Sequence, residues 1–233
     1  MVDIHTHILP GIDDGATDKD ISLSLLKILE DDGVSDVVLT PHFYSDSENI
    51  EQFIQRRNQA YSELKSVYKG NINLHLGAEV YLSRYIANYD DLTELCIDKT
   101  KYILVECPFS MEFSSDIYEI IENFIYNHRL TPIIAHIERY PFINLDKNVS
   151  LVESLRSIGC LIQVNADSLL LKKSKKLVLK FIENNLVDFI GTDTHNLTNR
   201  PPNYIRAMEV ITKSLGAQYA KNISKFDEIT KIL

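Results

Sequence analysis

The chain has 233 residues, 45% of them hydrophobic, and 33 acidic against 24 basic residues give a formal charge of −9. That size and apolar content suffice for one substantial core, so a single domain is expected. The acidic balance argues against a nucleic-acid binder held by backbone electrostatics, and no run approaches the ~18 apolar residues of a membrane span.

Short β-branched runs alternate with longer stretches of helical period. VDIHTHI (2–8) reads as the first strand. DKDISLSLLKILEDDG follows as a helix, with Ile21, Leu25, Leu26 and Leu29 on one face and Gly33 suited to its stop. SDVVLTPH (35–42) is the second strand, and a polar helix is expected from about Ser47 to Tyr68. INLHLGAEV (72–80), KYILVECPF (101–109), TPIIAHI (131–137), CLIQVNA (160–166) and VDFIGTD (187–193) complete seven strand candidates. The segment from Ser83 to Leu95 carries the weakest helical pattern of the connections. Strands buried on both faces and joined by helical crossovers imply an α/β fold with a parallel sheet, open or closed into a barrel. LLKKSKK (170–176) reads first as a solvated helix start, and second as a docking patch for acidic partners or lipid.

The N-terminal residues show neither a basic flank nor an apolar run of signal-peptide length. Cys96, Cys107 and Cys160 are an odd set without CxxC spacing, which suggests neither a disulfide framework nor a thiolate zinc site. A reducing cytoplasm is the expected location. A cysteine-nucleophile phosphatase is excluded, because the arginine such a loop needs six residues on is replaced by Tyr102, Phe113 and Ala166.

Chemistry-bearing residues gather at the carboxyl ends of the strands, where parallel α/β folds place their sites. The first strand carries His5 and His7, the second His42, the third Glu79, the fourth Glu106, the fifth His136, and the seventh Asp193 with His195 just beyond. Asp14 lies in the loop after the first strand, and the sixth strand ends in Asn165. Residues two apart on an extended chain point to one face, so His5 with His7, and Asp193 with His195, form two pairs that meet if the sheet closes. Glu106 follows Ile103, Leu104 and Val105, and a buried carboxylate there needs a partner. Alone, each residue could be an ordinary strand-end polar group; nine in register point to a metal centre. Nine ligands exceed the four to six positions of one ion, so two or three ions with a bridging carboxylate are expected. Imidazole and carboxylate without thiolate suit Mn²⁺, Fe²⁺ or Zn²⁺, and the carboxylate share favours Mn²⁺. His75 and His128 fall outside the pattern and are read as structural or surface residues.

HTHILPGIDDG, TPH, GAEVY, IAHIERY and GTDTHN, in this order and over almost the whole chain, resemble the polymerase-and-histidinol-phosphatase (PHP) superfamily. Within it they are similar to the bacterial manganese-dependent protein-tyrosine phosphatases of capsule and exopolysaccharide loci. The resemblance implies a distorted (β/α)7 TIM-like barrel with three metal ions at its C-terminal mouth. It assigns His5, His7, Glu79 and Asp193 to a first ion, Glu79, Glu106 and His136 to a second, and Asp14, His42 and His195 to a third. Arg139 and Arg200 are implied as phosphate clamps. The residue-level alternatives are a salt bridge of Arg139 with Glu138 and a loop-ordering role for Arg200 before Pro201 and Pro202. Of the paired aspartates, Asp14 is taken as the ligand, and Asp13 as shaping the turn with Gly11 and Gly15.

The implied reaction is phosphotyrosine hydrolysis by metal-activated water, and the implied partner is the tyrosine-rich tail of a membrane-anchored bacterial autokinase. Neither nucleic-acid binding nor insertion into the membrane is expected. Two alternatives stay open: a small-molecule phosphomonoesterase such as a histidinol phosphatase, and a non-catalytic metal-binding module that regulates a kinase.

Overall fold

Nine short strands, all paired in parallel, curl around a common axis in this computed structural model, which describes residues 1–110, 112–143 and 148–223. The order is β1 (Val2–Thr6), α1 (Lys19–Asp31), β2 (Asp36–Leu39), β3 (His42–Phe43), α2 (Ile50–Val67), β4 (Asn73–Leu76), β5 (Glu79–Tyr81), β6 (Tyr102–Glu106) and α3 (Ser115–Tyr126). There follow β7 (Thr131–Ile134), α4 (Asn148–Ser157), β8 (Leu161–Asn165), α5 (Lys172–Glu183), β9 (Phe189–Gly191), α6 (Tyr204–Leu215) and α7 (Ala217–Ile223). No helix of the described residues is long and apolar enough to cross a membrane.

Seven strand candidates become nine strands because two of them break. The expected strand 35–42 divides into β2 and β3 at Thr40–Pro41, and 72–80 divides into β4 and β5 at Gly77–Ala78. The chain stays in line across both breaks. Gly77 N–H donates to Leu39 O at 3.0 Å, and Glu79 N–H donates to Pro41 O at 3.0 Å. One ladder therefore runs β1-β2-β4 and the other β3-β5-β6-β7-β8-β9. The expected polar helix is α2, starting at Ile50, where Asn49 and Gln52 form a capping box. Between Ser83 and Lys99 the chain makes three short 3₁₀ turns and no α-helix.

The barrel closes at its first and last strands. Thr6 bridges Thr194 in parallel, Asp193 N–H donates to His5 O at 2.8 Å, and His7 N–H donates to Thr194 O at 2.9 Å. Asp3, wholly buried, clips the same seam by accepting from Thr192 N–H at 2.9 Å and from its hydroxyl at 2.6 Å. Burial pushes its carboxyl up to about 6 even against these hydrogen bonds. Val2, Ile4, Val38, Tyr102, Leu104, Ile133 and Phe189 pack together as the inner core. Tyr102, Leu104 and Glu106 alternate along β6, so the strand that ends in Glu106 carries this core beneath it.

Helices cover the outside. In α1, Leu25, Leu26 and Leu29 are fully buried, each contributing about 1.5–3 kcal/mol, with Asp18 capping its start and Gly33 (φ +80°) turning the chain at its end. Replacing Asp3 with alanine leaves the Thr192 N–H and hydroxyl without their acceptor. Urea denaturation of chelator-treated protein is expected to show a loss of about 2–3 kcal/mol; a loss below about 0.5 kcal/mol would place the closure elsewhere.

Candidate metal centre

The mouth of the barrel concentrates charge around one carboxylate. Glu79 opens β5 in register with His42 on β3, and four imidazoles converge on it. Its Oε2 lies 3.2 Å from His5 Nε2, 3.2 Å from His7 Nε2 and 3.0 Å from His42 Nδ1, while Oε1 lies 3.0 Å from His136 Nε2. Asp193 faces the same pair from the opposite strand, its Oδ1 3.5 Å from His5 Nε2 and 3.4 Å from His7 Nε2. Glu106 Oε1 stands 3.5 Å from His136 Nε2. At the rim, Asp14 Oδ1 reaches His195 Nε2 at 3.2 Å and His42 Nε2 at 3.5 Å.

All nine strand-end and loop candidates therefore meet at one mouth. Three groups offer ligand atoms mutually within 4.8 Å: His5, His7 and Asp193; His42, Glu79 and Glu106; and His7, Asp14, His42 and His195. These overlap the set of four and two sets of three expected from the resemblance, but His42 stands beside both Glu79 and Asp14, and His136 joins none of the three groups. His75 lies outside the mouth, held between Asp98 and Asp36.

Backbone strain helps to aim these groups. His136 (φ 33°) and Asp193 (φ 52°) are left-handed, turning their side chains inward two residues past the ends of β7 and β9. Gly191 is needed just before: a Cβ there would stand 2.6 Å from His5 Cβ and 2.9 Å from Gln163 Nε2. The two aspartates of the first loop separate by orientation. Asp13 is 6% exposed, accepts from Gly15 N–H at 2.9 Å and His42 N–H at 3.1 Å, and holds His7 Nδ1 at 2.7 Å. Asp14 is 64% exposed and faces the rim imidazoles.

Both arginines reach the centre through Asp193. Arg139 Nη1 lies 2.9 Å from Oδ2, and Arg200 Nη2 2.6 Å from Oδ1. Glu138 instead accepts from Asn165 N–H at 2.9 Å, so the Arg139–Glu138 alternative is not formed. The loop-ordering contacts at Arg200 come from its carbonyl, which accepts from His195 N–H at 2.9 Å and the Thr194 hydroxyl at 2.9 Å, leaving the guanidinium for the mouth.

Gln163 and Asn165 are the residues that strand-end reasoning missed or left without a role. Gln163 Oε1 accepts from His136 N–H at 2.7 Å and faces His5 Nδ1 at 3.3 Å. Its amide donates to Asn165 Oδ1 at 2.9 Å, and Asn165 in turn donates to Asp193 Oδ2 at 2.8 Å. Two amides spaced i, i+2 in an otherwise apolar strand were the signal for this inward-facing relay.

Burial alone would neutralise every group here. For Glu79 and Asp193 the neighbouring His5, with further imidazole contacts, overcomes burial and holds both carboxyls well below the usual range. The same balance raises His5, while Asp13 raises His7. Burial, reinforced by the Glu79 charge, pushes Glu106 up to about 7; burial with His7 and Arg200 pushes His195 down to about 4.

The donor set fits cations. His42 Nδ1, Glu79 Oε2 and His195 Nε2 are buried without a well-directed hydrogen bond, although the first two stand 3.0 Å apart and the third 3.2 Å from Asp14. Buried lone pairs aimed into shared space are what a metal ion satisfies. Protons on His5 and His7 would compete with such an ion.

The family model described as "Capsular polysaccharide synthesis, CpsB/CapC" matches residues 1–233. The chain belongs to the CpsB/CapC family. Tyrosine-protein phosphatase CpsB of Streptococcus pneumoniae is 33% identical, over 96% of this chain and 94% of the relative. Tyrosine-protein phosphatase YwqE of Bacillus subtilis is 32% identical, over 94% and 86%. A solved structure from the YwqE and CpsB pair, described as unique metal-dependent tyrosine phosphatases, superposes with a TM-score of 0.80 at 26% identity, over 95% of this chain and 90% of that one. Histidinol phosphate phosphatase of Lactococcus lactis shares the fold, with a TM-score of 0.54 at 13% identity over 91% and 92%. The CpsB/CapC fold is thus the PHP-type barrel expected of its motifs.

Gln163→Leu keeps the volume but leaves His136 N–H buried without an acceptor. Denaturation of the metal-free protein is expected to show a loss of about 1–3 kcal/mol; an unchanged midpoint would mean that the amide relay does not support the mouth.

Proposed function

We propose that this CpsB/CapC protein is a metal-dependent protein-tyrosine phosphatase that removes phosphate from the tail of a membrane-anchored tyrosine autokinase and so regulates capsule or exopolysaccharide synthesis. It works on the cytoplasmic side, recruited to the membrane by that kinase. The observation that carries this reading is the convergence of His5, His7, His42 and His136 on Glu79, with Arg139 and Arg200 closing over Asp193 at the same mouth. The names of the CpsB and YwqE relatives support the activity.

In this reading three ions would be held, one by His5, His7, Glu79 and Asp193, one by Glu79, Glu106 and His136, and one by Asp14, His42 and His195. Mn²⁺ suits the carboxylate-rich set best, and Fe²⁺ or Zn²⁺ fits the same donors. Ions of this kind supply Lewis acidity and bring the pKa of water to near 7. The protein's own groups do the rest. Asp13 holds His7 by Nδ1 and so presents Nε2 to the mouth, as partners behind ligating imidazoles do. With the Asp193 carboxylate given over to a cation, Arg139 and Arg200, which now pair with it, would present their paired N–H donors to phosphoryl oxygens. The tyrosinate leaving group, with a pKa near 10, needs less proton donation than a serine alkoxide.

The rim favours an aromatic substrate over a small alkyl phosphate. Phe109, 48% exposed, stacks against His136 with centroids 5.8 Å apart, and the Arg139 guanidinium lies over the Phe109 ring, 5.5 Å from its centroid. Tyr44 stands on the opposite flank, 5.3 Å from His42. An aryl ring can settle between such edges.

The test compares a phosphotyrosine peptide, a phosphoserine peptide and histidinol phosphate with Mn²⁺ present and after chelation. Phosphotyrosine release is expected to be fastest, to vanish on chelation and in His136→Ala, and to fall about a hundredfold in Arg139→Ala. Absence of metal-dependent release from every substrate would refute the enzyme, and faster turnover of histidinol phosphate would refute the tyrosine specificity.

A further inference from the structure

A cavity of about 940 Å³ opens from the arginine side of the mouth and runs to the start of α5. It is near the upper end of the ~300–1,000 Å³ range of small-ligand pockets, more room than one phosphotyrosine side chain occupies. Arg139, Arg200 and Asp193 line it, as do Lys172, Lys173 and Lys176 of α5, the apolar Phe109, Leu171 and Leu177, and the carboxylates of Glu138 and Asp167. The space is thus continuous with the proposed phosphate site.

The lysines stand where helix physics opposes them. Cations at a helix N-terminus meet the positive end of the macrodipole, yet the first turn of α5 holds no acidic residue and Leu171 at its N-cap supplies no side-chain cap. Among the described residues no carboxylate pairs with Lys172, Lys173 or Lys176, and all three are exposed. A chain of net charge −9 thus keeps a cationic, uncapped helix start at the edge of this cavity. A locally unfavourable arrangement at a cavity is where function is sought.

We propose that this end of the cavity is a subsite for acidic residues flanking the phosphotyrosine in the same polypeptide. The lysines receive Asp or Glu carboxylates, while Phe109, Leu171 and Leu177 pack against the intervening chain. The proposal rests on the phosphotyrosine reading and names the sequence class that this site selects. A membrane surface is less suited to it, because the lysines line a concavity that leads to the mouth.

The test uses the full, metal-loaded chain and the combined variant Lys172→Gln, Lys173→Gln, Lys176→Gln. Substrates are phosphotyrosine peptides of equal length with acidic or neutral flanks, and p-nitrophenyl phosphate. The wild type is expected to prefer the acidic peptide about tenfold in kcat/KM, the size of three exposed ion pairs together, through KM. The variant should lose that preference and turn over p-nitrophenyl phosphate within about twofold of wild type, and added salt should narrow the preference in the wild type. Equal turnover of both peptides by the wild type, or a uniform loss on all three substrates in the variant, overturns the subsite. So does lysine-dependent sedimentation with phosphatidylglycerol vesicles without any peptide preference, which would assign the patch to a membrane. Fluorescence anisotropy with the unphosphorylated acidic and neutral peptides separates the two readings. If no substrate is hydrolysed, the phosphatase assignment fails, and the subsite still stands or falls on whether lysine-dependent acidic binding is seen.

Discussion

Everything at the mouth depends on mutual neutralisation around Glu79. Imidazoles and carboxylates taken out of water each carry a penalty that burial alone would relieve by discharging them. Here Glu79 and Asp193 stay ionised because His5 and His7 stand about 3.2–3.5 Å away, and both of these imidazoles are raised, His5 by the two carboxylates and His7 chiefly by Asp13. The arrangement is tight enough that removing any one partner exposes the others to the full cost. It also prepares the mouth for a stronger source of positive charge, since a cation placed among these atoms would do the work that protons on His5 and His7 do without it.

Closing the sheet is what makes that neutralisation geometrically possible. Asp193 reaches the histidines of the first strand only because the seam at Thr6–Thr194 and Asp3–Thr192 brings the ends of the chain's strand series together. Gly191 lets β9 approach His5, and the left-handed backbone at His136 and Asp193 turns both side chains into the opening. The strain sits where the charges meet. The inner core below, from Val2 to Phe189, holds the floor against which it is stored.

Much of this was legible before any coordinates. The alternation of β-branched runs with helical period gave a parallel sheet, open or closed, because both periodicities act locally; its closure into a barrel came from the resemblance of the motifs, and polar residues at successive strand ends gave the site. The breaks at Pro41 and Gly77 were written in residues that interrupt a ladder, yet whether a strand ends or merely jogs there depends on its neighbours across the sheet. The different roles of Asp13 and Asp14 were expected, and Asp13 does meet Gly15 while Asp14 faces the rim; that Asp13 also holds His7 Nδ1 depends on a turn whose direction a sequence does not display. Gln163 was hidden for another reason: an amide inside a strand carries no charge to mark it, and its importance lies in the His136 N–H it satisfies. The lysines of α5 were visible as a charged run, but their relation to the arginines required the cavity that joins them.

The most direct measurement is anomalous diffraction from crystals of this protein grown with Mn²⁺. The account predicts anomalous peaks enclosed by His5, His7, Glu79 and Asp193, by Glu79, Glu106 and His136, and by Asp14, His42 and His195, with Arg139 and Arg200 turned away from Asp193. Crystals that bind Mn²⁺ only at other positions, with both arginines still paired to Asp193, would contradict it.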